Sequence, residues 1–482
     1  MTAPFVVPEP LTDDTVGRES LWYEYGAGAD RAVIPPWLLA EIPDMAAHDD
    51  LVPAGLVRYR EPLPYGAAGL LDAAPYPYGR AAVDGDPLPH ALAAAFAPQW
   101  YDLDNAFNPH RGYASGRCLY PVQALLDDGD RWWLVEPDRH ALGDLGVPGT
   151  ARRLALTGRY TRIPRGYRWF RGSLVNAETG IALRHLAVVL GRFGIAADVR
   201  LPEAGSLDLL AGLGLRPTAE WSLPMILGLG GPDSHTDRCD DPVLADVLRV
   251  NRLQANAGPP APLGSGLPAG ADPGLQRRSW AEVLWERNSG RMPRGLYGFS
   301  GRLRRLPAAA ADDAARWLAV PPPDGVLRQV FDLFRFTVVL QDVDGYPDGV
   351  HRIGPDGTLE PVRLARGVAA ELEKHYGYPL TGHNGCDVRH ASMLWFLSVR
   401  PRELFARSGP TGWTAAQYAA GWAIHGLSLS ATAFDLFARP VRAFGENPSR
   451  PLLGLGDDEM IALAAVVGTA KQPSGLLLDI RL

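Results

Sequence analysis

The sequence predicts an α+β protein made of two copies of one fold. Strand-like apolar runs that end in turns rich in Asp and Gly occur in both halves, at Tyr120–Leu126 and Phe336–Gln341. An Ala-rich stretch with helical spacing follows in each half, at Ala177–Phe193 and Ala415–Phe434. Helices and mainly antiparallel strands therefore mix within each unit, which is typical of the α+β class.

A repeated order of elements supports the duplication. Leu213–Leu215 precedes the apolar run Trp221–Gly228, and Leu453–Leu455 precedes the similar run Ile461–Gly468. The offset between the copies drifts from roughly 215 to roughly 240 residues, so the loops differ in length while the order of elements is kept. A repeat this long indicates a duplicated domain, and hence a covalent pseudo-dimer within one chain.

Composition along the chain suggests where the domains begin and end. A Pro- and Gly-rich stretch after a predicted helix at Asp241–Gln254 is typical of a linker. Ser279 is placed to cap a helix that begins at Trp280. The predicted segments are an irregular N-terminal extension at 1–80, a first domain at 81–253, a linker at 254–276 and a second domain at 277–482.

Overall composition argues against several classes of protein. The chain has 482 residues, a net charge of −7 and 46% hydrophobic residues, which is ordinary for a globular protein and unfavourable for nucleic-acid binding. Its three cysteines show no C-x-x-C spacing, so neither a disulfide framework nor a metal site is predicted. The N-terminus does not resemble a signal peptide and no apolar run is long enough to span a membrane, so we expect a cytoplasmic protein.

Three segments could bind a ligand. Arg287, Ser289 and Arg291 place two guanidiniums and a hydroxyl two residues apart, a pattern suited to one phosphate, although it also arises by chance in an Arg-rich chain. The small-residue turn in Tyr113–Val122 would let the backbone approach a planar ligand, or it is a loop before a core strand. Leu436–Phe444 contains a proline that favours an extended path, or it is an ordinary exit from a helix.

Taken in order, these segments resemble the nitroreductase-like flavoproteins, in particular the SagB-type dehydrogenases that oxidise azolines in modified peptides. The resemblance covers about residues 85 to 475 and implies two tandem nitroreductase-like domains that bind FMN. By this resemblance the cofactor-binding residues are Arg287, Ser289, Arg291, Ala114, Ser115, Gly116, Pro440, Val441, Arg442, Ala443 and Lys471.

The resemblance also implies how many FMN sites a duplicated chain contains. Members of this family bind FMN at a homodimer interface, with the phosphate clamp from one subunit and the small-residue turn largely from the other. The first copy here keeps the turn Ala114–Gly116, and the second keeps the clamp Arg287–Arg291 but has Pro321–Gly325 in place of the turn. We therefore expect one composite FMN site and one degenerate, empty site per chain.

The sequence departs from the resemblance at the catalytic base. Azoline oxidases often carry a Lys-Tyr pair, yet the matching stretch Arg159–Arg168 has no lysine. Lys374 and Tyr376, in the second copy, are the candidate replacements, since either side chain can transfer a proton beside a flavin. The alternative is that they form a solvated helix end.

The leading hypothesis is an FMN-dependent dehydrogenase that oxidises thiazoline or oxazoline rings to azoles in a ribosomally made, thiopeptide-like precursor. Its expected partners are that precursor peptide and a cyclodehydratase, with neither nucleic acid nor membrane, and association beyond the intrachain pair is left open. One alternative is an NAD(P)H-dependent nitro or flavin reductase acting on a small molecule. Another is a flavin-free scaffold that binds the peptide.

Overall fold

Two antiparallel sheets and a pair of long helices make up the protein. The structure is a computed structural model, and it describes residues 52–53, 55–105, 107–164, 167, 170–202, 206–215, 221–230, 253, 260–270, 278–290, 301–376, 387–470 and 476–482. The predicted helix at Asp241–Gln254, apart from Leu253, lies outside these residues.

The first sheet has eight strands in the order β1-β5-β4-β3-β6-β8-β7-β9. Its strands are β1 (Arg60–Pro62), β3 (Val122–Asp128), β4 (Arg131–Glu136), β5 (Ala141–Pro148), β6 (Arg152–Gly158), β7 (Asp198–Arg200), β8 (Met225–Gly228) and β9 (Ala261–Pro262). The strand and turn predicted after Tyr120 are confirmed, because β3 runs into the Asp-rich turn and pairs antiparallel with β4 beyond it.

The second sheet has seven strands, with β10-β16-β14-β11-β12-β13 in order and β15 also paired with β16. They are β10 (Gly301–Arg302), β11 (Arg335–Leu340), β12 (Gly349–Ile353), β13 (Leu359–Leu364), β14 (Met393–Val399), β15 (Phe437–Val441) and β16 (Met460–Ala470). Along β14, Trp395 and Leu397 pack into one core cluster while Leu394 and Phe396 pack into another. Both faces of this sheet are therefore covered, which explains the unbroken apolar runs.

Eleven α-helices occur in the described part of the chain. They are α1 (Ala67–Asp72), α2 (Leu88–Phe96), α3 (Phe170–Arg192), α4 (Ser206–Gly212), α5 (Trp280–Glu286), α6 (Ala308–Leu318), α7 (Gly325–Phe331), α8 (Val368–Glu373), α9 (Pro401–Ser408), α10 (Gly412–Ala433) and α11 (Glu446–Leu453). The two long Ala-rich helices are confirmed as α3 and α10. The predicted cap is also confirmed, since Ser279 forms a capping box with Glu282 at the start of α5.

Helices α3 and α10 pack against each other and join the two repeats. Ser173 Oγ lies 3.4 Å from Trp413 Nε1, and His185 Nδ1 lies 3.2 Å from His425 Nε2. The sequence separation is 240 residues in both pairs, so the helices run in the same direction. This is the arrangement expected of two equivalent helices related by a pseudo-twofold axis.

Two glycines allow this close packing. A Cβ atom on Gly180 would collide with the carbonyl oxygen of Tyr418, and one on Gly421 would collide with that of Ala177. Each glycine thus lies against the backbone of the opposite helix, at matching places in the two repeats. The surrounding apolar residues of both repeats form one continuous core.

Short strands at the domain limits extend the first sheet or form a third, two-stranded sheet. Strand β1 lies before residue 80 and pairs with β5, and β9 lies within the predicted linker and pairs with β7. At the other end of the chain, β17 (Leu477–Asp479) pairs with β2 (Trp100–Asp102) of the first repeat. The limits at residues 80, 253 and 277 stay predictions.

Candidate functional site at the junction of the repeats

The turn at Ser115–Tyr120 is held in an uncommon backbone conformation. Arg117 and Cys118 have φ of 53° and Tyr120 has φ of 45°, a left-handed region that disfavours side chains. Hydrogen bonds hold the turn: the Tyr120 amide donates to Ser115 Oγ at 2.8 Å, and the Arg111 amide donates to the Tyr120 hydroxyl at 2.8 Å. Strain of this kind persists only where the surroundings impose it, and it concentrates at functional sites.

Arg287 brings the second repeat to this turn. It ends α5, and its Nη2 donates to the backbone oxygen of Arg111 at 3.0 Å. Its side chain is buried, and Nη1 lies 3.4 Å from Ser289 Oγ. The predicted clamp and the predicted turn, although about 170 residues apart in sequence, therefore meet in the structure.

The charge on Arg287 is not neutralised by the described part of the chain. No carboxylate of the described residues forms an ion pair with it, and its Nε atom has no hydrogen-bond partner there. Burial lowers the pKa of Arg287, and the nearby Tyr120 and Cys118 oppose this. A buried guanidinium without a counter-ion is costly, so an anionic ligand would stabilise this site.

Strand β15 lies beside the clamp. The Arg439 guanidinium donates to the backbone oxygens of Ser289 at 2.6 Å and Gly290 at 2.8 Å, and the Ala438 amide donates to Asn288. Pro440 and Val441, in the same strand, pair with β16. The third predicted segment thus borders the clamp through its backbone.

Arg442 and Ala443 lie at the far end of that segment. The Arg442 guanidinium donates to the Ala462 carbonyl at 3.0 Å and pairs with Glu446 at 3.2 Å, and it lies over the Trp413 ring. Ala443 is partly buried against the core cluster on the outer face of the second sheet. These contacts tie the segment to the second repeat.

Three polar side chains of the helix pair adjoin the site and were missed in the sequence. Glu178 of α3 accepts a hydrogen bond from Ser115 Oγ at 2.8 Å. The buried His185 and His425 are close enough to Arg287 to feel its charge; burial lowers the pKa of His185 to about 3, with Arg287 adding to the effect. Their positions in Ala-rich helices resemble ordinary core positions, so the one sequence signal for them was the occurrence of polar residues in an otherwise apolar stretch.

Of the predicted catalytic pair, Tyr376 packs into the same core cluster as Val441 and Ala443, whereas Lys374 lies at the surface. Lys374 caps the end of α8, its side chain is 60% exposed, and its Nζ pairs with Glu371 at 2.7 Å. Tyr376 is buried with its ring 5.0 Å from that of Phe444. Arg291 and Lys471, both predicted to bind the cofactor phosphate, lie outside the described residues.

The described residues contain neither a group of three side chains suited to hold a metal ion nor a helix long and apolar enough to cross a membrane. Comparison by sequence finds no matching protein-family model and no matching curated protein.

Comparison with solved structures identifies the fold. A protein of Anabaena variabilis described as a nitroreductase matches over 94% of this chain and 99% of its own, with a TM-score of 0.60 and 14% identity. An E. coli microcin synthetase complex with truncated pro-MccB17 bound matches over 35% of this chain and 66% of its own (TM-score 0.30, 12% identity). A nitroreductase of Bacteroides fragilis with bound FMN matches over 40% of this chain and 90% of its own (TM-score 0.26, 14% identity).

The chain therefore has a nitroreductase-like α+β fold, in which two such domains form a pair within one polypeptide. At these identities the likeness concerns the fold alone, and function has to be argued from the site.

Proposed function

We propose that this protein is an FMN-dependent oxidoreductase with one composite cofactor site per chain. The observation that carries the proposal is the contact between Arg287 of the second repeat and the Arg111–Tyr120 segment of the first. In a protein that binds its cofactor between two subunits, a fused pair would bring together such complementary parts from its two halves.

The residues at this junction fit a flavin mononucleotide. The buried, unneutralised Arg287 and the neighbouring Ser289 hydroxyl suit a phosphate, since guanidinium–phosphate bonds are strong and geometrically specific. The strained turn at Ser115–Tyr120 and the backbone of β15 suit the rest of the molecule. When bound, FMN supplies the hydride chemistry, and the protein supplies binding, orientation and control of protons.

The opposite junction does not offer the same groups. In the first repeat, the residues that follow the corresponding short helix α1 are Ala73–Tyr76, without an arginine or serine clamp. Tyr76 is buried there, with its ring 5.0 Å from Trp280 and 6.1 Å from Trp317. Aromatic packing at this place supports a single working site per chain.

We propose an azoline ring in a ribosomally made peptide as the substrate, with a cyclodehydratase as the partner that forms that ring. The support is the sequence resemblance described above. Purified protein would be incubated with a synthetic thiazoline peptide and excess FMN in air. The proposal predicts loss of two hydrogen atoms from the peptide and consumption of dioxygen, without any need for NAD(P)H.

Two other outcomes would each favour one of the alternative functions. Rapid NADH consumption with a nitroaromatic acceptor and no change in the peptide would favour the reductase. Peptide binding without any FMN binding would favour the scaffold, and would overturn the composite cofactor site.

A further inference from the structure

Glu178 lies where the two repeats meet, and one of its two carboxylate oxygens forms no hydrogen bond within the described part of the chain. The residue is 5% exposed, and it lies on α3 next to the turn of the proposed cofactor site. Ser115 Oγ accepts the Tyr120 amide and donates its own hydrogen to Glu178 Oε2. Because the carbonyl oxygen of a protonated carboxyl is the better acceptor, the Ser115 bond to Oε2 favours placing the proton of a neutral Glu178 on Oε1.

Oε1 has no hydrogen-bond partner in the described part of the chain. A buried polar atom without a hydrogen-bond partner is unfavourable, so such atoms in native proteins need an explanation. Hydrogen bonds link Arg287 to Arg111, Arg111 to Tyr120, Tyr120 to Ser115 and Ser115 to Glu178, so Glu178 is joined to the residues of the proposed cofactor site. A bound ligand would supply the missing partner.

The surroundings favour a proton exchange near neutral pH. Burial raises the pKa of Glu178 to about 8, while the Ser115 hydrogen bond, Arg111, the Gly116 amide and Arg162 oppose the rise. The other titratable groups that face it are Tyr113 and Cys118. Burial raises the pKa of the Cys118 thiol to about 12 and that of Tyr113 higher still, so both stay protonated.

We propose that Glu178, oriented by Ser115, is the residue that takes the substrate proton at Oε1 in the proposed oxidation. The inference rests on the proposed function, and it supplies a base where the family's usual lysine is missing. The sequence resemblance gave this role to Lys374 or Tyr376 instead, and substitution of Glu178 and of Lys374 separates the two assignments.

The proposed step balances. One ring C–H bond of the azoline breaks, its proton goes to the Glu178 carboxylate, and its electron pair forms the new ring double bond. The hydride from the neighbouring ring atom leaves for the oxidised flavin. Dioxygen is the final oxidant and becomes hydrogen peroxide, and the Glu178 proton is released to solvent.

Infrared spectroscopy of the cofactor-free protein tests the carboxyl group without any turnover. We expect a band of a buried protonated carboxyl that is present at pH 6, disappears with a midpoint near pH 8, and is missing in Glu178→Gln. Glu136→Gln is the matched control, because Glu136 is also buried but pairs with Arg60 at 2.7 Å. Ser115→Ala should move the midpoint to higher pH, because the hydrogen bond that favours the carboxylate is removed.

Turnover with the azoline peptide tests the role. In the wild type we expect the rate to rise through about pH 8, and in Glu178→Gln to fall by roughly 100-fold while FMN still binds. Absence of the pH-dependent band, or full turnover of Glu178→Gln with an unchanged pH profile, would overturn the inference. If no FMN binds to the wild type, the proposed function fails instead, and the infrared result then stands by itself.

Discussion

Replacing Glu178 by glutamine should change how the stability of the cofactor-free protein depends on pH. The folded-state pKa of about 8 lies above the ordinary value of 4.5, so the folded state holds a proton that the unfolded state releases. The stability contributed by this group is therefore complete below pH 4.5 and is lost as the pH rises through 8. Glutamine keeps the shape and the Ser115 contact but does not titrate.

The size of the effect follows from the same two values. Relative to pH 4, ionisation of Glu178 should lower the free energy of unfolding of the wild type by about 3 kcal/mol at pH 7 and by about 5 kcal/mol at pH 9. The residue is almost fully buried, so solvent screening does little to reduce these figures. The variant should therefore gain stability over the wild type as the pH rises.

Urea unfolding of both proteins without cofactor, at pH 5, 7 and 9, measures this difference. Glu136→Gln serves as the control, since it removes a carboxylate of the same repeat that pairs with Arg60. Curves of unfolding free energy against pH that run parallel for the wild type and Glu178→Gln would refute the account of Glu178 as a neutral buried acid.

Three further substitutions test other parts of the structure. Gly421→Ala should lower the free energy of unfolding by about 1–3 kcal/mol in urea titrations, because its Cβ would meet the α3 backbone. The control Gly212→Ala, with open space around the new Cβ, should be neutral or slightly stabilising. Arg287→Ala should weaken FMN binding by roughly 10- to 100-fold in fluorescence titrations. The control Arg278→Ala, which removes a half-buried arginine that already pairs with Glu286 and Asp435, should leave FMN binding unchanged, and equal losses in the two variants would count against the clamp. Lys374→Ala should leave the turnover rate within about twofold of the wild type, since the Lys374 side chain is exposed and pairs with Glu371. A large loss of turnover would show that Lys374 is catalytic.

The main helices and strands could be predicted from the sequence because each depends on a local pattern of residues. The hairpin after Tyr120 has an Asp- and Gly-rich turn, and α3 and α10 have long helical periodicity with few breaks. Ser279 was recognisable as a cap because Glu282 follows at the right spacing. The edge strands β1, β9 and β17 were missed, because two or three residues in Pro-rich or terminal segments carry no period.

Only part of the site could be predicted from the sequence, because its residues come from distant segments. Arg287 and the Ser115 turn form recognisable short patterns, so their meeting could be expected once the chain was taken as a fused pair. Glu178 follows no pattern, since its importance arises from the Ser115 hydroxyl more than sixty residues away. Contacts between distant segments fix such a residue, and one sequence does not encode them in any local spacing.

The ratio of flavin to polypeptide tests the central claim most directly. Protein purified with excess FMN would be desalted, its absorbance spectrum recorded, and the flavin released and quantified against chain concentration. The composite site of Arg287 and the Ser115 turn predicts one FMN per chain, and Arg287→Ala predicts a strongly reduced ratio under the same conditions. Two FMN per chain would contradict the single-site account, and none would contradict the cofactor assignment itself.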